Sequence, residues 1–177
     1  MRPYPDTPAD LPQCADTPAF SLDITGQTPV PTGIAHTTEE NTLFAIKAEV
    51  VDRHAKVFTF TEQKTMYGGK HVAAGDSIFI FASENEGGSG LIAVGTVISA
   101  SVVPKKPGVQ RKTPRVSVVV RFGRSARQPL GRTELKSYSN WTDGKPETEL
   151  NFKLYRQATN KIIGITCGAN LFLRRLF

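Results

Sequence analysis

Apolar positions in this chain recur mostly with period two or in short unbroken runs, and helical spacing dominates only the last segment. Ser77-Ile-Phe-Ile-Phe-Ala82 is an unbroken apolar run between Gly75-Asp76 and the glycine-rich stretch Ser83–Gly90, as expected of a strand buried on both faces. Leu91–Ile98 is a second such run, and the polar, helix-free connection predicts an antiparallel hairpin with a long loop. Strands apolar on both faces need cover on both, which places this hairpin at the centre of a small closed or strongly curved sheet.

Leu43–Glu49 and Lys56–Phe60 read as two earlier strands. Between Thr61 and His71 the β pattern stops; Thr61 or the turn after it would cap a short helix, broken by Gly68-Gly69. Arg115–Phe122 alternates cleanly, with Val116, Val118, Val120 and Phe122 on one face and Arg115, Ser117 and Arg121 on the other. Arg132–Tyr138 allows one or two helical turns, Ser139–Glu149 is a loop around Trp141, and Leu150–Arg156 and Lys161–Ile165 are expected as closing strands. The chain ends in a helix: Thr166 is its N-cap, Ala169, Phe172, Leu173 and Leu176 form its apolar face, and Arg174 and Arg175 sit in its last turn. The order is not βαβ. It predicts an α+β fold, a small β-barrel of five or six mostly antiparallel strands flanked by two or three short helices.

Composition divides the 177 residues in two. Residues 1–40 hold seven of the twelve prolines and few large apolar side chains, and read as a largely irregular extension whose one apolar cluster is Phe20–Ile24. Residues 41–177 form the folded domain, and 39% hydrophobic residues overall are enough for one core. The extension carries one basic and six acidic residues, leaving 21 basic against 10 acidic in 41–177, a balance of +11. That charge makes a phosphate-bearing partner plausible. No apolar run is long enough to cross a membrane, no signal peptide is evident, and Cys14 and Cys167 suggest no disulfide framework; together these predict a cytoplasmic protein that does not engage membranes.

Catalytic motifs are mostly missing. Gly68-Gly-Lys-His71 lacks the spacing of a P-loop, and Gly87-Gly-Ser-Gly90 lacks the dinucleotide fingerprint. His36, His54 and His71 are not spaced with the cysteines as metal ligands, so neither metal nor cofactor is expected. What stands out is a run of ten bases against one acid, Glu134, between residues 104 and 138. Of these, Lys105, Lys106, Arg111, Lys112, Arg115, Arg124 and Arg127 are the expected phosphate contacts, although a solvated face would show the same run. Trp141, the only tryptophan, offers a stacking surface for a base or else staples its loop to the core.

Thr42–Glu49, Gly75–Ser83, Gly90–Val97, Arg115–Phe122 and Leu154-Tyr-Arg-Gln157 occur in an order that resembles EVE domains of the PUA-like superfamily, over residues 42–177. The resemblance implies a PUA-like barrel with a pocket at one end for a modified base of DNA or RNA, often a modified cytosine. Carried over by position, the pocket would be lined by Lys47, Ala48 and Glu49, by Thr65, Met66 and Tyr67, by Ser83 and Glu84, and by Arg156 and Gln157, with Trp141 as a further flat wall. A flipped base needs such a wall together with donors and acceptors for its edge. Gln63-Lys-Thr-Met-Tyr67 is also loosely similar to the ASCH branch, which includes amidohydrolases that act on acylated cytidine. There Lys64 would activate Thr65 as nucleophile, but Glu62 stands where that signature has Gly and no acid follows. The expectation is a non-enzymatic reader of a modified base; the alternatives are that hydrolase and a plain interaction module whose Pro-rich extension recruits a partner.

Overall fold

The two apolar faces of Ser77–Ala82 are buried against different partners. Ile78 and Ile80 join Phe58, Phe60, Val116, Val118, Val120 and Ile162 in one cluster, whereas Phe79 and Phe81 join Leu135, Leu150, Leu154, Ile163 and Leu173 in another. The first cluster fills a barrel and the second lies between the barrel wall and the helices. A run without polar alternation is therefore what this position demands. The computed structural model describes residues 44–104, 107–108, 113–157 and 159–177. The Pro-rich extension with Phe20–Ile24 lies outside the described residues.

Six strands close the barrel: β1 (Phe44–Ala48), β2 (Val57–Met66), β3 (Ser77–Ala82), β4 (Gly90–Val102), β5 (Arg115–Ser125) and β6 (Lys161–Gly164), in the spatial order β1-β3-β4-β5-β2-β6. Four of the six pairings are antiparallel, among them the β3–β4 hairpin; β1–β3 and β2–β6 are parallel. Between β5 and β6 come α1 (Arg132–Leu135), α2 (Pro146–Leu150) and a π-helical turn, Asn151–Tyr155; α3 (Cys167–Arg174) ends the fold. Thr166 caps α3 as its sequence predicts, its hydroxyl accepting from the Ala169 N–H at 3.3 Å. No helix among the described residues is long and apolar enough to cross a membrane.

Several expectations need correction. β2 does not stop at Phe60: Phe60 pairs with Val118 and Gln63 with Val116, so one extra residue bulges out and inverts the alternation beyond it. Glu62 sits in that bulge at φ 49, its N–H donating to Ser117 Oγ at 3.0 Å. The helix expected before His71 is a single 3-10 turn, Gly69–His71, and another such turn, Glu84–Glu86, interrupts the connection between β3 and β4. Leu150–Arg156 is helical over Leu150–Tyr155, not a strand. Leu150, Phe152 and Leu154 alternate as a strand would, but Leu150 and Leu154 also stand four apart, and both are fully buried from one helical face. Cys167 is disulfide-bonded, whereas the cysteine usage suggests no disulfide framework.

Candidate nucleic-acid interface

The helical segment Pro146–Tyr155 builds the site. Pro146 starts it, Glu147 and Glu149 place carboxylates in its first turn, and the π turn then widens the spiral where Phe152, Lys153 and Tyr155 project. Such π turns recur at functional positions because they re-aim side chains within a continuous helix. The ring of Trp141 leans on Phe152, with centroids 4.5 Å apart and 43° between planes. The Arg156 guanidinium lies 3.9 Å from the Phe152 ring centre. With Tyr67, Ser139 and Gln157 these residues line a cleft of about 540 Å³.

Tyr67 and Trp141 stay 44% and 50% exposed, a large aromatic surface for solvent to meet. Tyr67 adopts φ 50, and its carbonyl accepts from the Gly164 N–H at 3.0 Å, so the chain holds it in a left-handed conformation at the end of β2. Lys153 Nζ lies 5.4 Å from the centre of the Tyr67 ring, held there by Glu149 at 2.8 Å and by the Gly164 carbonyl at 2.9 Å. Of the residues expected to form the pocket, Tyr67, Trp141, Arg156 and Gln157 thus come together. Phe152 escaped the sequence because its segment reads as a strand.

Lys47, Ser83 and Glu84 form a second, buried group at the ends of β1 and β3. Glu84 Oε1 accepts from the Tyr155 hydroxyl at 2.8 Å and from the Arg132 N–H at 2.9 Å. Its other oxygen stands 3.9 Å from Lys47 Nζ, which also lies 4.4 Å from the centre of the Tyr155 ring. Lys47 and Lys161 are cross-strand partners, both fully buried. Burial pulls the Lys47 ammonium below its ordinary value, opposed by Glu84. Burial, with repulsion from Lys47, brings Lys161 down to about 8. Burial pushes the Tyr155 hydroxyl up, and its bond to Glu84 adds to the rise. Lys161 Nζ donates to the Gln157 carbonyl at 2.9 Å, which ties the buried group to the cleft. Neither Tyr155 nor Lys161 was picked out by the sequence; the available signal was a lysine within each of two apolar strands.

The remaining expected residues serve elsewhere. Ala48 is core, Glu49 is exposed past the end of β1, and Met66 packs half-buried under the helices. Thr65 is buried, 4% exposed, and its hydroxyl donates to the Pro114 carbonyl at 3.0 Å, while Lys64 lines a different depression with Glu62 and Arg115. Among the expected phosphate contacts, Arg115 donates to the Glu62 carbonyl at 2.6 Å, and Arg124 and Arg127 are exposed. Lys105, Lys106, Arg111 and Lys112 lie outside the described residues. Among the described residues no group of His, Cys, Asp or Glu could hold a metal ion.

No family model matches the sequence, and no curated protein matches it either. Solved structures do match in fold. The crystal structure of the DUF55 domain of human thymocyte nuclear protein 1 has a TM-score of 0.51 and 14% identity, covering 76% of this chain and 97% of that one. The crystal structure of human THYN1 protein in complex with 5-methylcytosine containing DNA has a TM-score of 0.51 and 16% identity, covering 75% and 95%. The fold is PUA-like. The closed mixed barrel, short flanking helices and final helix α3 are the features of this PUA-like domain that place the aromatic cleft beside β2 and β6.

Proposed function

We propose that the domain binds DNA or RNA and takes up a modified base, a modified cytosine in particular, in the cleft walled by Tyr67, Trp141 and Phe152. The observation that carries the reading is the convergence of half-exposed rings with a guanidinium and an amide, Arg156 and Gln157, in one cleft of about 540 Å³. Rings supply stacking to an extruded base, and the polar groups address its edge. A solved structure of the same fold carries 5-methylcytosine containing DNA, which supports this ligand class. The +11 balance of residues 41–177 supports a phosphate backbone as partner, with Arg124 and Arg127 exposed to meet it. The reading is of a non-catalytic module: Tyr67, Trp141, Arg156 and Gln157 bind, and none is asked to transfer a proton or form a bond.

Oligonucleotides with cytosine, methylcytosine or hydroxymethylcytosine, titrated at low and moderate salt, test it. Trp141 is the only tryptophan and reports directly on its cleft. A preference of about 1 kcal/mol or more for a modified base, lost in Tyr67→Ala, is expected. Equal, purely salt-dependent binding of every oligonucleotide would refute the pocket.

A further inference from the structure

A second cleft, of about 440 Å³, is lined by Tyr67, Trp141, Lys145, Thr148, Lys153 and Thr166. It shares Tyr67 and Trp141 with the first cleft, so these two side chains border both. The chemistry of the two clefts differs. The first offers a guanidinium, an amide and a hydroxyl from Arg156, Gln157 and Ser139, groups suited to the edge of a base. The second offers two ammonium groups, one of them neutralised by the Glu149 carboxylate that also lines it, two threonine hydroxyls and an aromatic wall.

These ammonium groups are held differently. Lys153 is fixed against Tyr67 by Glu149 and the Gly164 carbonyl, whereas the Lys145 side chain is 59% exposed and only 3.9 Å from Asp143 Oδ2, able to swing toward an anion. Gly144 lies in the lining at φ 66, with no heavy atom within 4 Å of where a Cβ would stand, so this stretch is open above its backbone. A base held in the first cleft remains joined through a phosphate to its neighbour. The adjoining cleft offers that neighbour an aromatic surface in Tyr67 and Trp141 and an exposed cation in Lys145. Stacking of this kind tolerates any base, since every base has a π face, and an ammonium meets a phosphate as a point charge.

We propose that this second cleft is a subsite for the nucleotide flanking the modified base, its base stacked on the exposed rings of Tyr67 and Trp141 and its phosphate at Lys145. The proposal rests on the reading of the first cleft given above. It makes the recognised unit a dinucleotide step in which one base is read and the other is only stacked.

The test compares a single-stranded pentamer bearing one central methylcytosine with versions trimmed by the whole 5′ or 3′ flank, on wild type and on Lys145→Glu, with melting curves to check the fold. Trimming one particular flank is expected to weaken wild-type binding on the order of tenfold, and trimming the other only slightly. In Lys145→Glu the intact pentamer binds more weakly, its salt dependence falls by the equivalent of about one phosphate, and trimming costs several-fold less than in wild type. If trimming either flank leaves methylcytosine preference and affinity unchanged, the subsite is wrong while the first cleft stands. If modified and unmodified pentamers bind alike, the base reading falls and the subsite falls with it.

Discussion

Replacing Glu84 by Gln removes a charge from the buried end of the barrel while nearly keeping its shape. The oxygen of the new amide can take over the bonds that Glu84 Oε1 accepts from the Tyr155 hydroxyl and the Arg132 N–H. The amide nitrogen then faces Lys47, which is fully buried and stands 3.9 Å from Glu84 Oε2 in the native protein. Two opposite charges about 4 Å apart are worth about 4 kcal/mol at an effective dielectric of about 20. Breaking a buried pair by removing one member costs about 3–5 kcal/mol. The Glu84 side chain is 21% exposed, which argues for the low end: about 3 kcal/mol near pH 7, or about 6–12 °C in Tm for a domain of this size.

The pH dependence gives the sign. Burial already lowers the Lys47 pKa from 10.5, and loss of Glu84 lowers it further. Between that lowered value and 10.5 the unfolded chain binds more protons than the folded one, so stability rises with pH and the penalty fades. Urea unfolding from roughly pH 6 to pH 10 measures it. The double variant Lys47→Met/Glu84→Gln, which removes both members of the pair, should recover most of the loss. A single variant that costs less than about 1 kcal/mol at every pH would refute the argument, because Lys47 would then be neutral in the native state with no need of a counter-charge.

Trp141→Ala should weaken binding of modified oligonucleotides by about 1–3 kcal/mol in a titration while shifting the melting temperature little, since Trp141 is half exposed. Wild-type stability should rise as pH goes from about 8 toward 10.5, where Lys161 is neutral in the folded chain but still charged in the unfolded one; urea midpoints should show a smaller rise in Lys161→Met, the share of Lys47 remaining. Arg124→Glu with Arg127→Glu should weaken all oligonucleotides alike, and the slope of log K against log salt should fall by about 0.7–0.9 for each phosphate no longer neutralised. Tyr67→Asn should abolish the preference for the modified base without destabilising the domain, because Asn accepts the left-handed conformation that costs other residues about 1–2 kcal/mol; a loss of more than about 1 kcal/mol in denaturation would show that packing of the ring, not ligand binding, retains Tyr67.

The barrel was legible where burial writes a simple pattern. Ser77–Ala82 and Arg115–Val120 betray their environments because each residue's face is set by one register, and Thr166 with the apolar face of α3 needs only local spacing. Legibility failed where the period changes within an element. At Glu62 the bulge shifts the alternation by one, so the second half of β2 looks like something other than a strand. From Leu150 to Leu154 a two-residue alternation and a four-residue spacing coincide, and only the tertiary context, a helix laid over Phe79 and Phe81, decides between them. The site suffered from both failures. Tyr67 follows the bulged half of β2, and Phe152 sits in the misread helix; of the residues carried over by position, Tyr67, Arg156 and Gln157 line one cleft, whereas Lys47, Ser83 and Glu84 lie apart from it. Those belong to a separate buried group, tied to the cleft by the bond from Lys161 to the Gln157 carbonyl.

Both groups depend on β6, a strand of four residues. At its start Lys161 stands across from Lys47 on one neighbour and Lys64 on the other, and its ammonium holds the Gln157 carbonyl. At its end the Gly164 N–H holds the Tyr67 carbonyl, while the Gly164 carbonyl holds Lys153. A Cβ on Gly164 would strike the Tyr67 carbonyl oxygen, so β2 and β6 can close this tightly only around a glycine. The barrel side of the cleft is thereby fixed by backbone bonds on a closed sheet. The opposite side, the loop around Trp141, is shaped by its own turns, with Asn140 Oδ1 accepting from Thr142 and Asp143 Oδ1 from the Lys145 N–H, and by the contact of Trp141 with Phe152. Positions on a rigid scaffold discriminate small chemical differences better than positions on a loop. On the proposed function, discrimination of a methyl or hydroxymethyl group falls to the Tyr67 and Gln157 wall, and Trp141 contributes affinity that tolerates any base.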